Sequence, residues 1–170
     1  MFLKAEDRKT IKDLAAKIRN EYNLTSLPID IAKILNDKNI KFFTANLDNI
    51  NGYELSGLIE KKDNGEIRII VNNQHQDTRN VFTVAHELGH YFLGDLNGKK
   101  RVVSLRGGSK NKKERAADFF AAELLMPEDL IRETIEKLFF PTLQEMANKF
   151  RVSRAAMKYR LDFLGVPYYG

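Results

Sequence analysis

His86 and His90 stand four residues apart with Glu87 between them, in the run Ala85-His86-Glu87-Leu88-Gly89-His90. On a helix of about 3.6 residues per turn the two imidazoles share one face, about 6 Å apart along the axis. Nitrogens so placed can hold one zinc ion at about 2.0–2.1 Å each. Glu87, one step round the helix, can reach a water on that ion without ligating it, which is the position of a general base. Zinc lowers the pKa of such a water to about 7, so hydroxide becomes available at neutral pH. The plainer alternative is two unrelated histidines that fall near each other, but the chain has only 3 histidines in all.

A catalytic zinc needs a third protein ligand and an open fourth position. One solution is a later histidine, spaced H-E-x-x-H-x-x-G-x-x-H. The chain has Leu93 and Leu96 where that pattern needs glycine and histidine. The other solution is a glutamate from a following helix, and Glu114 fits it. Asp118 follows one turn on, and two acids at that spacing repel each other on a plain helix. The pair is accounted for if Glu114 faces a cation and Asp118 accepts the free N–H of a ligand histidine. Compensation of a helix dipole would also explain Glu114, and Asp118 also reads as a solvated acid. Asp95, after Gly94, is a weaker third-ligand candidate and reads first as a turn residue. Glu123 falls about half a turn out of phase with Glu114. His75 reads as a surface or cap residue. Gly89 costs about 1 kcal/mol relative to alanine inside a helix; close approach by the metal or a substrate strand, or close helix packing, would explain it equally well.

These side chains need elements to hold them. Helical spacing of Ile11, Leu14, Ala15 and Ile18 predicts a helix over residues 5–20. Pro28 is expected to open a short helix over 29–38. Strands are expected at 40–44, 54–61 and 66–72, the last two joined by the turn Asp63-Asn64-Gly65. The histidine-bearing helix should run over 78–92, capped by Asp77 or Thr78. Residues 94–113 read as an irregular, glycine- and lysine-rich span with a short strand at 101–105. It serves either as a lid over the site or as a plain connector. Further helices are expected at 114–126, ended by Pro127, and at 128–139.

Bulk composition sets limits. The chain has 170 residues, 43% of them hydrophobic, enough for a packed core. Cysteine is absent, which excludes disulfides and thiolate metal sites and suits a reducing compartment. Charges in the first eight residues interrupt any secretory segment, and no run approaches a membrane span. These features lead to the expectation of a cytoplasmic protein with no membrane partner. The net charge of +5 permits nucleic-acid contact without arguing for it.

Residues 142–161 read like a helix-turn-helix. Leu143, Met146, Ala147 and Phe150 form one apolar face, Val152-Ser153 a turn and cap, and Ala156, Met157 and Leu161 the next face. Arg154, Lys158 and Arg160 are then placed to meet DNA phosphates. A helical hairpin that packs on the rest of the chain or holds a protein partner accounts for the same pattern.

The runs Phe82-Thr83-Val84-Ala85-His86-Glu87-Leu88-Gly89-His90 and Glu114-Arg115-Ala116-Ala117-Asp118-Phe119-Phe120-Ala121-Ala122-Glu123-Leu124-Leu125-Met126-Pro127 together resemble the ImmA/IrrE family of metallo-endopeptidases. Leu27-Pro28-Ile29-Asp30 and the C-terminal helices are also similar, so the resemblance covers nearly the whole chain. It implies a minimal thermolysin-like zinc peptidase, with His86, His90 and Glu114 as ligands and Glu87 as base. It also implies a bacterial, intracellular enzyme that cleaves a helix-turn-helix repressor and so derepresses mobile-element or stress genes. The chain departs from many relatives at Ala116, where they carry an acid, and at Asp118, where they carry asparagine. Asp118 instead resembles the Glu-x-x-x-Asp pair of the wider thermolysin-like group.

The expectation is therefore an α+β fold. A minimal zincin-like domain over residues 1–139 has a three-stranded sheet and an HExxH active-site helix, and a helix-turn-helix-like helical subdomain covers 140–170. Zinc is the expected cofactor, with manganese as the other ion admitted. An extended substrate would add to an edge strand, with electrophilic help from Tyr53, Tyr91, Tyr159 or His75. Two rival readings use the same residues: a DNA- or repressor-binding regulator with a structural or vestigial metal site, and a protein that sequesters a repressor without cutting it.

Overall fold

Ile11, Ala15 and Ile18 recur at helical spacing and lie buried along one face of α1 (Ala5–Glu21). The structure, a computed structural model, describes residues 3–49, 52–106, 111–139 and 141–170. The second helix, α2 (Ala32–Asp37), begins three residues later than Pro28 suggested, because residues 26–28 form a bend instead of a first turn. Ile34 and Leu35 anchor it in the core.

Next come the strands β1 (Ile40–Ala45), β2 (Glu54–Lys61) and β3 (Ile67–Asn72). The β2–β3 hairpin closes through Asn64 and Gly65, and Gly65 takes φ +85°, a conformation that glycine adopts without a Cβ clash. β1 runs parallel to β3, with Ile40 opposite Ile67 and Ala45 opposite Asn72. After α3 (Asp77–Phe92), β4 (Arg101–Arg106) pairs antiparallel with the other side of β2. The sheet thus has four strands among the described residues, in the order β1-β3-β2-β4, not three. The fourth strand is short and sits between Lys99-Lys100 and Gly107-Gly108, so glycine and lysine at its ends obscure its alternation. A bulge between Leu55 and Gly57 bends β2 where it meets β4.

The remaining elements are α4 (Lys112–Leu125), α5 (Glu128–Leu138), α6 (Leu143–Phe150) and α7 (Arg154–Leu164). Their starts follow local chemistry. Asn111 Oδ1 accepts from the amides of Lys113 and Glu114 at 2.9 and 3.0 Å, Thr142 and Glu145 form a capping box, and Ser153 Oγ accepts from Ala156 N at 3.1 Å. At α3 the expected cap fails. Gln76 holds the cap position without a side-chain bond, and Asp77 lies inside the first turn.

One apolar cluster joins α1, α2, the sheet, α3 and α4 to the C-terminal helices, through Leu143, Met146, Phe150, Met157 and Leu161. Arg160 sits among these residues and is 1% exposed. Its guanidinium donates to both Glu123 oxygens at 2.8 Å, and its Nε donates to the Met126 carbonyl at 2.9 Å. This corrects the expected phosphate contact, since a charge buried in a two-point ion pair is unavailable to DNA. Lys158 is held by Asp162 at 2.7 Å, and Arg154 donates to the Gly170 carbonyl. No helix among the described residues is long and apolar enough to cross a membrane.

A buried ion pair loses most when one partner is removed. Arg160→Met leaves the Glu123 carboxylate buried without its cation and is expected to lower stability by about 3–5 kcal/mol. Adding Glu123→Leu removes the stranded charge and should recover most of that loss. Urea unfolding of the two variants checks this, and a single variant as stable as the parent would contradict it.

Candidate metal centre

The site depends on how closely α3 and α4 approach. A Cβ added at Gly89 would stand 3.0 Å from Ala117 Cα and 3.1 Å from the Ala117 carbonyl oxygen. Of the two explanations open for Gly89, helix packing is the one the structure bears out. The close crossing brings Glu114, in the first turn of α4, against the two histidines of α3. His86 Nε2 and His90 Nε2 are 3.1 Å apart, and the Glu114 oxygens lie 3.3 Å from the first and 3.1 Å from the second. Ligands at about 2.0–2.1 Å from a tetrahedral ion stand about 3.3 Å from one another. The three groups are therefore spaced as one small ion requires, and no other such group forms among the described residues.

Each imidazole is oriented through its other nitrogen. His86 Nδ1 lies 2.9 Å from Asp118 Oδ1, and His90 Nδ1 lies 2.9 Å from Asp95 Oδ2. A carboxylate there accepts a hydrogen bond from Nδ1–H, which fixes the tautomer and leaves the Nε2 lone pair for a metal. Asp118 sits where the sequence suggested. The role of Asp95 was missed. Its carboxylate also meets Lys113 of α4, so it joins the turn after α3 to the helix that carries Glu114. Its separation of five from His90, just beyond a helix-ending glycine, was the available signal.

The electrostatics suit a cation. Burial alone would lower the pKa of His86, but the carboxylates of Asp118 and Glu114 outweigh it and hold the ring up to about 9. His90 is raised as well, with Glu114 and Asp95 outweighing its burial. Burial works to raise Glu114, yet bonding to the two histidines brings it down to about 2. Glu87, Asp95, Glu114 and Asp118 thus gather round two imidazoles, with Lys113 as a cation on Asp95, an excess of negative charge that favours a bound cation.

Glu87 makes the strongest demand. It is 0% exposed, and neither carboxylate oxygen has a hydrogen-bond partner. Buried polar groups are nearly always paired, so an orphaned carboxylate calls for a functional explanation. Burial pushes its pKa above the ordinary carboxylate range, with the His86 charge opposing; the Ser104 hydroxyl lies nearby but outside hydrogen-bond geometry. Gly57 of β2 makes room for it: a Cβ there would stand 2.6 Å from Thr83 Cγ2 and 3.3 Å from Glu87 Oε1.

Other candidates fall elsewhere. His75, half-buried just ahead of α3, has its ring largely covered and bonded to Glu54. Glu123 lies outside the site, paired with Arg160. Tyr159 is 74% exposed on α7, and Tyr53 is exposed beside β2.

Two expectations follow from this geometry. Asp95→Asn and Asp118→Asn should each weaken zinc binding about 10–100-fold in chelator competition while leaving the folded spectrum intact; unchanged affinity in both would remove their orienting role. Gly57→Ala should cost about 1–3 kcal/mol through overpacking, and Thr83→Ser, which deletes the clashing Cγ2, should recover most of it. Chemical denaturation of the single and double variants checks the coupling.

Comparison with known proteins bears on the same residues. Residues 35–162 match the family described as the IrrE N-terminal-like domain. Over 99 residues the chain is 33% identical to metallopeptidase ImmA of Bacillus subtilis, covering 58% of this chain and 56% of that protein. It is 34% identical over 99 residues to radiation response metalloprotease IrrE of Deinococcus radiodurans, covering 55% of this chain and 30% of that protein. The chain thus spans about half the length of the first relative and under a third of the second. With the match running from α2 through both histidines and Glu114 into α7, the chain belongs to the IrrE N-terminal-like domain family.

Proposed function

We propose that the chain is an intracellular zinc-dependent endopeptidase that cleaves a helix-turn-helix transcriptional repressor. The observation that carries the peptidase reading is the orphaned, fully buried Glu87 beside three side chains spaced for one ion. Both curated relatives carry metalloprotease names, and the repressor substrate rests on the family resemblance alone. His86, His90 and Glu114 would hold the ion, with Asp118 and Asp95 fixing the two rings.

When bound, such an ion would supply Lewis acidity toward a scissile carbonyl and would acidify water, which protein groups alone do poorly at neutral pH. Glu87 receives a proton from the attacking water and returns it to the leaving amine. A carboxylate with its pKa raised by burial is suited to both transfers. The buried site keeps those transfers away from bulk solvent. β4 is a terminal strand of the sheet, and its Ser104 lies on the Glu87 side. An extended polypeptide that adds to this edge is carried past the base, its backbone held by strand hydrogen bonds.

The rival regulator reading is weakened by the burial of Arg160, and a structural zinc would call for four closed protein ligands, where this site offers three. Glu87→Gln separates the peptidase from a pure binder. It should retain one equivalent of zinc by elemental analysis while cleavage of the repressor falls at least about 100-fold. Full partner function in that variant would show that cutting is not the activity.

A further inference from the structure

Six buried side-chain polar atoms among the described residues have no hydrogen-bond partner, and three of them belong to Glu87 and Ser104. Both residues border the same place. Ser104 of β4 is the register partner of Gly57 of β2. A Cβ added at Gly57 would point at the base, ending 3.3 Å from Glu87 Oε1. Register partners on neighbouring strands send their side chains to one face of the sheet, about 5 Å apart. The Ser104 hydroxyl therefore stands on the side of the sheet that faces Glu87, close to the carboxylate.

The residue type is unexpected on packing grounds alone. Val102, Val103 and Leu105 surround Ser104 on β4, and Ser104 itself is 5% exposed. Alanine would fill most of that space without burying a hydroxyl that lacks a partner. An unpaired buried polar group calls for a functional explanation. The sheet is also irregular at this point: the bulge in β2 between Leu55 and Gly57 lies opposite the step from Leu105 to Ser104. Bulges bend a strand locally and re-aim the side chains beside them.

The chemistry of the two groups leaves one arrangement. An ionised carboxylate only accepts hydrogen bonds, and a hydroxyl can donate one. Catalytic hydrogen bonds often stay long or misaligned until substrate is bound. Ser104 rides on β4, the terminal strand of the sheet, so a polypeptide paired along that edge holds Ser104 as well. We propose that Ser104 is the positioning residue of the base: with a polypeptide along β4, its hydroxyl donates to one Glu87 oxygen and turns the other oxygen toward the attacking water. The inference rests on the peptidase reading. Ser104 acts through Glu87 and touches neither the ion nor the scissile bond.

Ser104→Ala and Ser104→Cys test this in the zinc-loaded full chain, with a peptide that the parent cuts. Alanine deletes the donor, and cysteine fills the same space with a weak one. Both variants should lose kcat by about 10-fold or more, the effect of a misplaced catalytic group, with KM little changed. Both should bind zinc with parental affinity in chelator competition. In urea, Ser104→Ala should unfold at or above the parental midpoint, because it removes a buried unpaired group; a residue with a purely structural role would lower it. Unchanged kcat in Ser104→Ala overturns the proposal and leaves the peptidase reading standing. So does full kcat in Ser104→Cys, which would make bulk the requirement, or a loss that falls wholly on KM. A zinc-loaded parent that cuts no peptide overturns both.

Discussion

Helices α3 and α4 touch backbone to backbone at Gly89 and Ala117, where even a methyl group would crowd at 3.0 Å. From this contact follows the position of every group in the site. An ion cannot be held by two histidines of one helix unless a third donor arrives from elsewhere. Glu114 arrives because Asn111 caps α4 and starts the helix three residues before it. The other side of α3 is set in the same way: Gly57 lets β2 lie close enough to enclose Glu87 without displacing it. Two glycines, on opposite sides of one helix, thus define the space in which the chemistry would occur.

The resulting cluster concentrates charge where the core would otherwise be apolar. His90 and Glu87 are both 0% exposed, next to buried Leu88 and Ala85. Such a placement would be costly for an isolated carboxylate. Its cost falls as each acid finds a partner: Asp118 and Asp95 on the imidazoles, Glu114 on both rings. Glu87 is left as the acid with no bonded partner, and that difference in environment separates the ligand carboxylate from the proton-transfer carboxylate. The C-terminal helices do structural work in the same scheme. The Arg160–Glu123 pair fastens α7 to the end of α4.

What could be read from the chain tracks the range of the interactions involved. His86, Glu87 and His90 lie within two helical turns, so their spacing alone carries their geometry. Glu114 was reachable because zinc chemistry demanded a third donor and the histidine option failed at Leu96. Asp95 was not, because a turn decides its direction. The buried pair was misread in half: Arg160 was taken for a surface cation, although it falls three residues from Met157 and beside Leu161 on the apolar face, and Glu123 sits within Ala121-Ala122-Glu123-Leu124-Leu125. An acid inside one apolar run and a base on another apolar stripe were the visible signal. The fourth strand was seen as a fragment and left out of the architecture, because pairing with β2 is a long-range event that local composition does not report.

The central claim is that one zinc ion is held by His86, His90 and Glu114 with an open fourth position. X-ray absorption at the zinc edge of the purified, stoichiometrically loaded chain tests it most directly. The account predicts two imidazole nitrogens and light oxygen scatterers at about 2.0–2.1 Å, with one imidazole lost in His90→Ala and one oxygen scatterer lost in Glu114→Ala. A third imidazole, or a spectrum unchanged by Glu114→Ala, would contradict it.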